Sequence, residues 1–361
     1  MSTSAPQFTP EGLGERLFEA LLGTMELACV HVGDSLGLYA ALDEGGPQTS
    51  SELAARAGID ERYAREWLEQ QAVASVLTVA DPSVPAAARR FLLPEGHREA
   101  LLAPDSLLYA VAMARAGVGT LAPIDTLIAA FRTGEGIPYA DYGPSCREGI
   151  AAFNRPMFVN QLAQEWIPAV PEIDARLRSG DARVADLGCG QGWSSVSLAV
   201  GYPYARVDGF DSDTPSIEAA RALATDRGVS DRVRFFRQDV SEQVGGDYDL
   251  VTIFEALHDM AHPVEALRTA RGLLREGGLV LIADERVAER FDAPGDEIER
   301  LNYGFSVLHC LAVGREDAGS AATGTVMRPS TVDGYAREAG FDGAEVLPVE
   351  HDFWRFFLLR S

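Results

Sequence analysis

Apolar positions recur at helical spacing over residues 11–42, with Leu13, Leu17, Phe18, Leu21, Leu22 and Met25 on one broad face. A face this wide needs a covering surface, and it predicts a homodimer built through the first helices. Thr49-Ser50-Ser51-Glu52 then forms a capping signal ahead of a short helix at 53–57. Gly58 turns the chain, and Asp60 caps a second helix over 63–71. Residues 73–79 and 90–93 alternate as two strands around a turn-rich segment, which makes the helix-turn-helix a winged helix. Further helices are predicted over 105–116, 124–131, 147–163 and 173–177.

From Arg183 the rhythm changes to short β-branched runs separated by helical ones, as a parallel sheet with crossover helices requires. Strands are predicted over 184–187, 206–210, 233–237, 250–254 and 278–283. A helix over 331–339 and strands over 344–348 and 353–359 complete the chain. The fold class is therefore α/β, a doubly wound Rossmann-like seven-stranded sheet preceded by a mainly helical winged-helix domain. Pro168 and Pro171 mark the boundary: residues 1–170 form the first domain and 171–361 the second.

Composition narrows the partners. Fifty-four acidic residues against 31 basic ones give a net charge of −23, and every basic residue is Arg. Such a surface repels nucleic-acid backbones and anionic lipid, so neither is expected as a partner. On the second helix of the helix-turn-helix, Asp60, Glu61, Glu66 and Glu69 outnumber Arg62 and Arg65, whereas a DNA-recognition helix needs a basic face. Dimerisation or lid packing suits it better. The four cysteines lie far apart, which predicts free thiols and no zinc motif. Residues 1–10 lack the basic start and apolar run of a signal peptide. The apolar stretch 107–131 is interrupted by Arg115, Pro123 and Asp125, so it reads as two helices rather than a membrane span. A cytoplasmic location is the expectation.

The chemistry concentrates after the first parallel strand, in Asp186-Leu187-Gly188-Cys189-Gly190-Gln191-Gly192. A strand that turns into a helix beneath a ligand needs residues without Cβ, and Gly188, Gly190 and Gly192 supply them. A dinucleotide fingerprint would put its third glycine where Trp193 stands, so the loop argues against a nicotinamide cofactor. Asp211, ending the second strand about 20 residues later, is placed to hold ribose hydroxyls. Asp239 and Val240 follow the third strand, where a carboxylate beside an apolar wall can accept from an adenine amino group.

Together these residues resemble the class I S-adenosylmethionine-dependent methyltransferases over about residues 176–360, whose antiparallel edge the last two strands also fit. The resemblance implies that Asp186, Gly188, Gly190 and Gly192 surround the methionyl part. It puts Asp211 and Ser212 at the ribose, Asp239 and Val240 at the adenine, and Phe254 and Glu255 beside the sulfonium. With the winged helix, the chain further resembles bacterial and plant-type small-molecule O-methyltransferases, which dimerise through such a domain. In that subgroup, Leu257-His258-Asp259 corresponds to the segment carrying a catalytic His, so His258 is the candidate base, although Met260 stands where plant-type enzymes have Trp.

Trp193, Tyr303 and His309 are candidates for substrate contact, and Tyr139, Tyr142, Phe153 and Arg155 for a helix returning over the cofactor. Asp213 reads as a helix cap. His258 and His262 are four apart but precede Pro263 without a third ligand, so no metal is expected. The implied reaction is methylation of an oxygen on an aromatic or natural-product-like acceptor, leaving S-adenosylhomocysteine. Nitrogen or carbon methylation, and a winged-helix DNA-binding regulator that binds S-adenosylmethionine, are the alternatives.

Overall fold

Buried β-branched runs at the centre of the second half build the sheet on which everything else is mounted. The structure, a computed structural model, describes residues 8–242 and 244–360; residues 1–7, the start of the predicted first domain, lie outside them. Two compact units are formed, one from 1–119 with 148–153, the other from 120–147 with 154–361. The sequence boundary at 170 follows the onset of strand rhythm. The compact division falls earlier, because the helical stretch 154–166 supplies Phe158 and Trp166 to the aromatic packing around Trp354 and Phe356 of the last strand.

In the first unit the long initial helix is α1 (Pro10–Ser35), and it stops well short of residue 42. Gly37, at φ +65, starts a new helix, α2 (Leu38–Gly45), in a conformation that favours glycine. Thr49 and Glu52 close the predicted capping box on α3 (Ser50–Ala57), Gly58 ends it, and Asp60 caps α4 (Glu61–Val73). The strand expected over 73–79 shrinks to β1 (Thr78–Val79), which pairs antiparallel with β2 (Phe91–Leu92). Val73 belongs to α4 and residues 74–77 form a turn. Ala74 N–H still bonds to Gln70, and Val76 N–H turns back to Gln71 across Ser75, which sits at φ +61.

Trp67 Nε1 donates to the carbonyl of Cys29 at 2.9 Å, anchoring the C-terminal end of α1. Gly33 lies against the Trp67 ring, where any side chain would collide. Upstream, none of the described residues covers this face: Leu13, Leu17, Phe18, Leu21, Leu22 and Met25 are 47–60% exposed. On α4, Arg62 pairs with Glu66 and Arg65 lies 3.7 Å from Glu61, so its cations are matched by its own acids.

The unit ends through α5 (Arg98–Leu102) and α6 (Val111–Thr120), and α7 (Ile124–Thr133) follows as a separate helix, as the charges in this stretch predicted. α6 begins later than residue 105, since 103–110 turn back on themselves through Ser106 and Tyr109. No single helix among the described residues is long and apolar enough to cross a membrane, though the bent pair α6 and α7 has the composition for it.

α8 (Gly143–Met157) contains Pro156 and runs on through wide π-helical turns, Phe158–Trp166, three residues past the expected end. A proline inside a helix removes one i→i−4 bond, and wider turns are a way to accommodate that. After α9 (Pro171–Arg178) come β3 (Arg183–Leu187), α10 (Trp193–Gly201), β4 (Arg206–Asp211), α11 (Thr214–Asp226), β5 (Val233–Arg237), β6 (Tyr248–Phe254), α12 (Pro263–Leu273) and β7 (Leu274–Glu285). α13 (Glu297–Phe305) continues through π-helical Ser306–Cys310 into α14 (Leu311–Val313), and α15 (Pro329–Glu338), β8 (Ala344–Val346) and β9 (Trp354–Leu359) finish the chain.

All seven expected strands are present, in the order β5-β4-β3-β6-β7-β9-β8, the first five parallel and the last two antiparallel. The order reverses between β3 and β6, so the crevice for a ligand opens at the carboxyl ends of these two strands. β6 is buried along its whole length, which explains why it is mostly apolar, with only Asp249 and Thr252 polar.

Asp249 on β6 ties this core to α9 and the edge of β7. It accepts from the Arg183 amide at 2.8 Å, pairs with Arg275 at 2.9 Å and also bonds to Arg176. Asp249→Ala orphans a backbone N–H and two guanidinium groups that can partly turn to water. It is expected to lower stability by about 1–3 kcal/mol, read as a lower urea midpoint at constant slope.

Candidate active site

The glycine loop is held from below by Asp186. Its carboxylate, 1% exposed, accepts from Ser194 Oγ and Ser195 Oγ at 2.6 Å each and from Thr252 Oγ1 at 2.8 Å. These bonds join β3, the first turn of α10 and β6. Burial raises its pKa, opposed by the three hydroxyl bonds. Asp186 is thus bonded to its own chain and shapes the loop.

Above it, Gly188, Gly190 and Gly192 have φ of +72°, +50° and +81°. Their surroundings differ. A Cβ on Gly188 would stand 2.6 Å from that of Ala256, and one on Gly192 2.6 Å from the Phe235 ring. A Cβ on Gly190 would meet nothing within 4 Å. The first and third glycines are required by packing, and the middle one leaves bare backbone facing open space.

Asp211 closes β4 beside this loop. One carboxylate oxygen accepts from Gly190 N–H and the other from Asp213 N–H, both at 2.8 Å. Burial pushes its pKa above the ordinary value, against the pull of the two amides. Asp213 caps α11 through Ser216 N–H and pairs bidentately with Arg147 at 2.6 and 3.1 Å, so it is the cap expected and also a link to α8. Ser212 is exposed next to it. Asp239 is exposed too, one oxygen accepting from both the amide and the hydroxyl of Ser241 at 2.8 Å, and Val240 is buried beneath it. Trp193 opens α10 between two guanidinium groups, Arg155 at 4.3 Å and Arg227 at 5.2 Å from its ring.

At the ends of β6 and β7 the register sets Phe254 opposite Ala283, so Glu255 and Asp284 leave the sheet side by side. Phe254 is buried with its ring 5.8 Å from Phe158. Glu255 sits at φ +51 and accepts from the Asn154 side chain. His258 is buried among carboxylates. Its Nδ1 lies 2.8 Å from Asp284 Oδ1 and 3.2 Å from Glu285 Oε2, and its Nε2 3.2 Å from Asp259 Oδ1. Asp284 Oδ1 also accepts the Glu285 amide, so Nδ1 is the donor of its bond.

Burial opposes charge on this ring, but Asp284, Glu285 and Asp259 outweigh it and hold the imidazolium well above its usual pKa. Burial likewise opposes the charge of Asp259, which His258 nevertheless holds at about 2. Glu255 is pushed up by burial, with His258 opposing, to about 7. Two sets of metal-ligating side chains share His258, one with Asp284 and Glu285, the other with Asp259 and Cys310. His262 lies instead 3.6 Å from Asp317.

His309 is buried in the π-helical turn, edge-on to Tyr142 and Tyr139 with ring centroids 4.5 and 5.7 Å away. Tyr303 is elsewhere, partly exposed against Phe291 and hydrogen-bonded by Arg328. The two substrate candidates of this segment therefore face different surroundings. Sequence reading missed Asp284, Glu285, Asn154 and Cys310. Acids at the carboxyl end of the strand beside β6 were the available signal for the first two.

A doubly wound sheet with a glycine turn, an acid ending the second strand and the reversal between β3 and β6 defines the architecture of a class I methyltransferase. Residues 178–316 match the family described as a methyltransferase domain, and residues 23–103 the Rv2258c-like winged helix-turn-helix domain. The ubiquinone biosynthesis O-methyltransferase of Pseudomonas aeruginosa strain UCBPP-PA14 is 26% identical over 198 residues, 54% of this chain and 76% of that protein. Its counterpart in Aromatoleum aromaticum is 27% identical over 195 residues, with the same coverage of 54% and 76%.

Among solved structures, the mitomycin 7-O-methyltransferase MmcR superposes with a TM-score of 0.71 at 22% identity, covering 97% of this chain and 98% of that one. Human N-acetylserotonin methyltransferase in complex with S-adenosylmethionine gives 0.72 at 17% identity, covering 100% and 99%. These two establish the fold. The chain carries an S-adenosylmethionine-dependent methyltransferase domain behind a winged helix-turn-helix domain.

The loop fits that cofactor on two counts, the open space over Gly190 and a carboxylate on Asp211 whose two oxygens are fixed by backbone amides. The glycines separate in their expected behaviour. Gly192→Ala collides with Phe235 and is expected to lower the melting temperature by several degrees. Gly190→Ala is expected to keep most of its stability and lose about tenfold or more in S-adenosylhomocysteine affinity by calorimetry.

Proposed function

We propose that this protein methylates an oxygen of a small, aromatic acceptor, and that the polar cluster around His258 holds that oxygen. The observation that carries the reading is His258 itself, a buried imidazole with carboxylates at both ring nitrogens, one strand away from the glycine loop. S-adenosylmethionine supplies an already activated methyl group, so the protein's task is alignment and charge placement. Gly188, Gly190 and Gly192 would take the methionyl part above Asp186. Asp211 and Ser212 would take the ribose, Asp239 and Val240 the adenine, and Phe254 and Glu255 the neighbourhood of the sulfonium.

His258 is the residue expected from the resemblance to act as base. An imidazolium has no lone pair to accept a proton, so in this arrangement its positive charge and N–H suit an acceptor that arrives as, or becomes, an oxyanion. Tyr139, Tyr142, Trp193 and His309 supply aromatic surface for an acceptor ring, and Tyr303 is a more distant candidate. The O-methyltransferase names of the relatives favour oxygen over nitrogen, although the neighbour RosA, an N,N-8-amino-8-demethyl-D-riboflavin dimethyltransferase at a TM-score of 0.61, has the same fold. The protein is proposed to act in the cytoplasm.

The deciding experiment is incubation with S-adenosylmethionine and a panel of phenolic and enolic acceptors, with methylated product followed by mass spectrometry. Asp211→Ala is expected to weaken S-adenosylhomocysteine binding by about 10- to 100-fold. His258→Ala is expected to leave that binding intact and slow turnover by about 100-fold or more. Unchanged turnover in His258→Ala removes the residue from the reaction, and failure to bind S-adenosylhomocysteine refutes the cofactor reading as a whole.

The uncovered face of α1 supports a homodimer, because contiguous exposed apolar surface of this extent marks an association site. A Leu17→Glu, Phe18→Glu double variant is expected to sediment as a monomer where the parent sediments as a dimer. A parent that is monomeric at micromolar concentration overturns this assignment.

A further inference from the structure

The geometry points to a binding site for one divalent first-row transition metal, of the zinc or iron(II) type, formed by His258, Asp259 and Cys310. Imidazole nitrogen, carboxylate oxygen and thiol sulfur lie within 4.8 Å of one another there. A mixed N, O and S set selects borderline ions, whereas magnesium and calcium take oxygen ligands alone.

Unsatisfied polar atoms around the set supply a second, independent observation. Asp259 Oδ1 is 3.2 Å from His258 Nε2 yet makes no hydrogen bond. Thr325 Oγ1 and His309 Nε2 are likewise buried without a hydrogen bond, on residues each 1% exposed. Folded interiors rarely leave so many polar atoms unmatched in one place, and an ion is one way to match them.

The second shell also has the form that metal sites use. A ligating imidazole commonly donates its other N–H to a carboxylate, which fixes the ring and raises its basicity. Here Nδ1 makes that bond to Asp284 Oδ1 at 2.8 Å, and the same oxygen is anchored by the Glu285 amide at 3.0 Å. This commits the Nδ1 side to orientation and leaves Nε2 as the ligating atom, facing Asp259. His309, whose Nδ1 is 3.4 Å from Cys310 Sγ, borders the set and is the neighbour best placed to join it.

Four acids, Glu255, Asp259, Asp284 and Glu285, crowd one imidazole, and a dication would take the place of two protons there without changing the net charge. Binding displaces the proton from Nε2 and the proton from the Cys310 thiol into solvent. Occupancy is independent of the methyl-transfer reading. Its use rests on that reading and takes the place of the imidazolium N–H there: with Nε2 on the metal, the metal's open positions would take the acceptor oxygen and lower its pKa.

The full-length protein would be stripped with a chelator, reloaded with Zn²⁺ or Co²⁺, and assayed for metal per chain by plasma mass spectrometry. About one metal per chain is expected, with a thiolate-to-cobalt charge-transfer band in the Co²⁺ form. His258→Gln and Cys310→Ser should each weaken retention about tenfold or more, Cys310→Ser should abolish the band, and His262→Gln should change neither. Calorimetry with S-adenosylhomocysteine on each variant separates loss of metal from loss of fold or cofactor pocket. Occupancy far below one after reloading overturns the site. So does occupancy indifferent to both ligand variants that still bind S-adenosylhomocysteine. Absence of the band in the unsubstituted Co²⁺ protein overturns thiolate ligation whether or not any variant folds.

Discussion

The buried carboxylate of Asp186 is the interaction on which the site depends. It spends its acceptor capacity on hydroxyls from α10 and β6, and so clamps the strand, the helix start and the neighbouring strand at the point where sheet order reverses. A carboxylate deprived of water is tolerated when hydrogen bonds replace its hydration, and here three hydroxyls do so. With the loop fixed in this way, the glycine backbone can lie open without collapsing, and Gly190 presents it to a ligand.

A second chain of contacts carries rigidity sideways from the loop. Gly190 donates to Asp211, Asp211 is held by the amide of Asp213, and Asp213 is locked by Arg147 of α8. Arg147 also lies 5.7 Å from the Tyr139 ring, and Tyr139 meets His309. His309, Tyr139 and the carboxylate of Asp211 are therefore parts of one connected network within the second unit.

On the far side of the reversal, β6 and β7 bring acids together at the same height as the loop. Placing Glu255, Asp284 and Glu285 around His258 costs desolvation, offset by pairing with the imidazole and by the Asn154 side chain. Groups arranged so that burial and like charge shift their protonation are characteristic of sites that do chemistry. The left-handed backbone of Glu255 belongs to the same pattern, since a strained conformation of a non-glycine residue persists where its surroundings hold it.

Local pattern determined a great deal. β-branched runs between helical segments, the capping box at Thr49, the alternate glycines and Asp211 are short-range signals, each readable because the physics behind it spans a few residues. They yielded seven strands, the winged helix and the cofactor loop. Strand 73–79 was misread for the complementary reason: the end of α4 turns back through Ser75, and that closing turn uses up residues whose alternation suited a strand. What surrounds His258 was decided only by the fold, because Asn154, Asp284, Glu285 and Cys310 are distant in the chain and meet through sheet register, α8 and one π-helical turn. Asp186 shows the same division within one residue. Sequence marked it as part of the loop, and only the packing of Ser194, Ser195 and Thr252 against it decided that its carboxylate serves the protein's own backbone geometry.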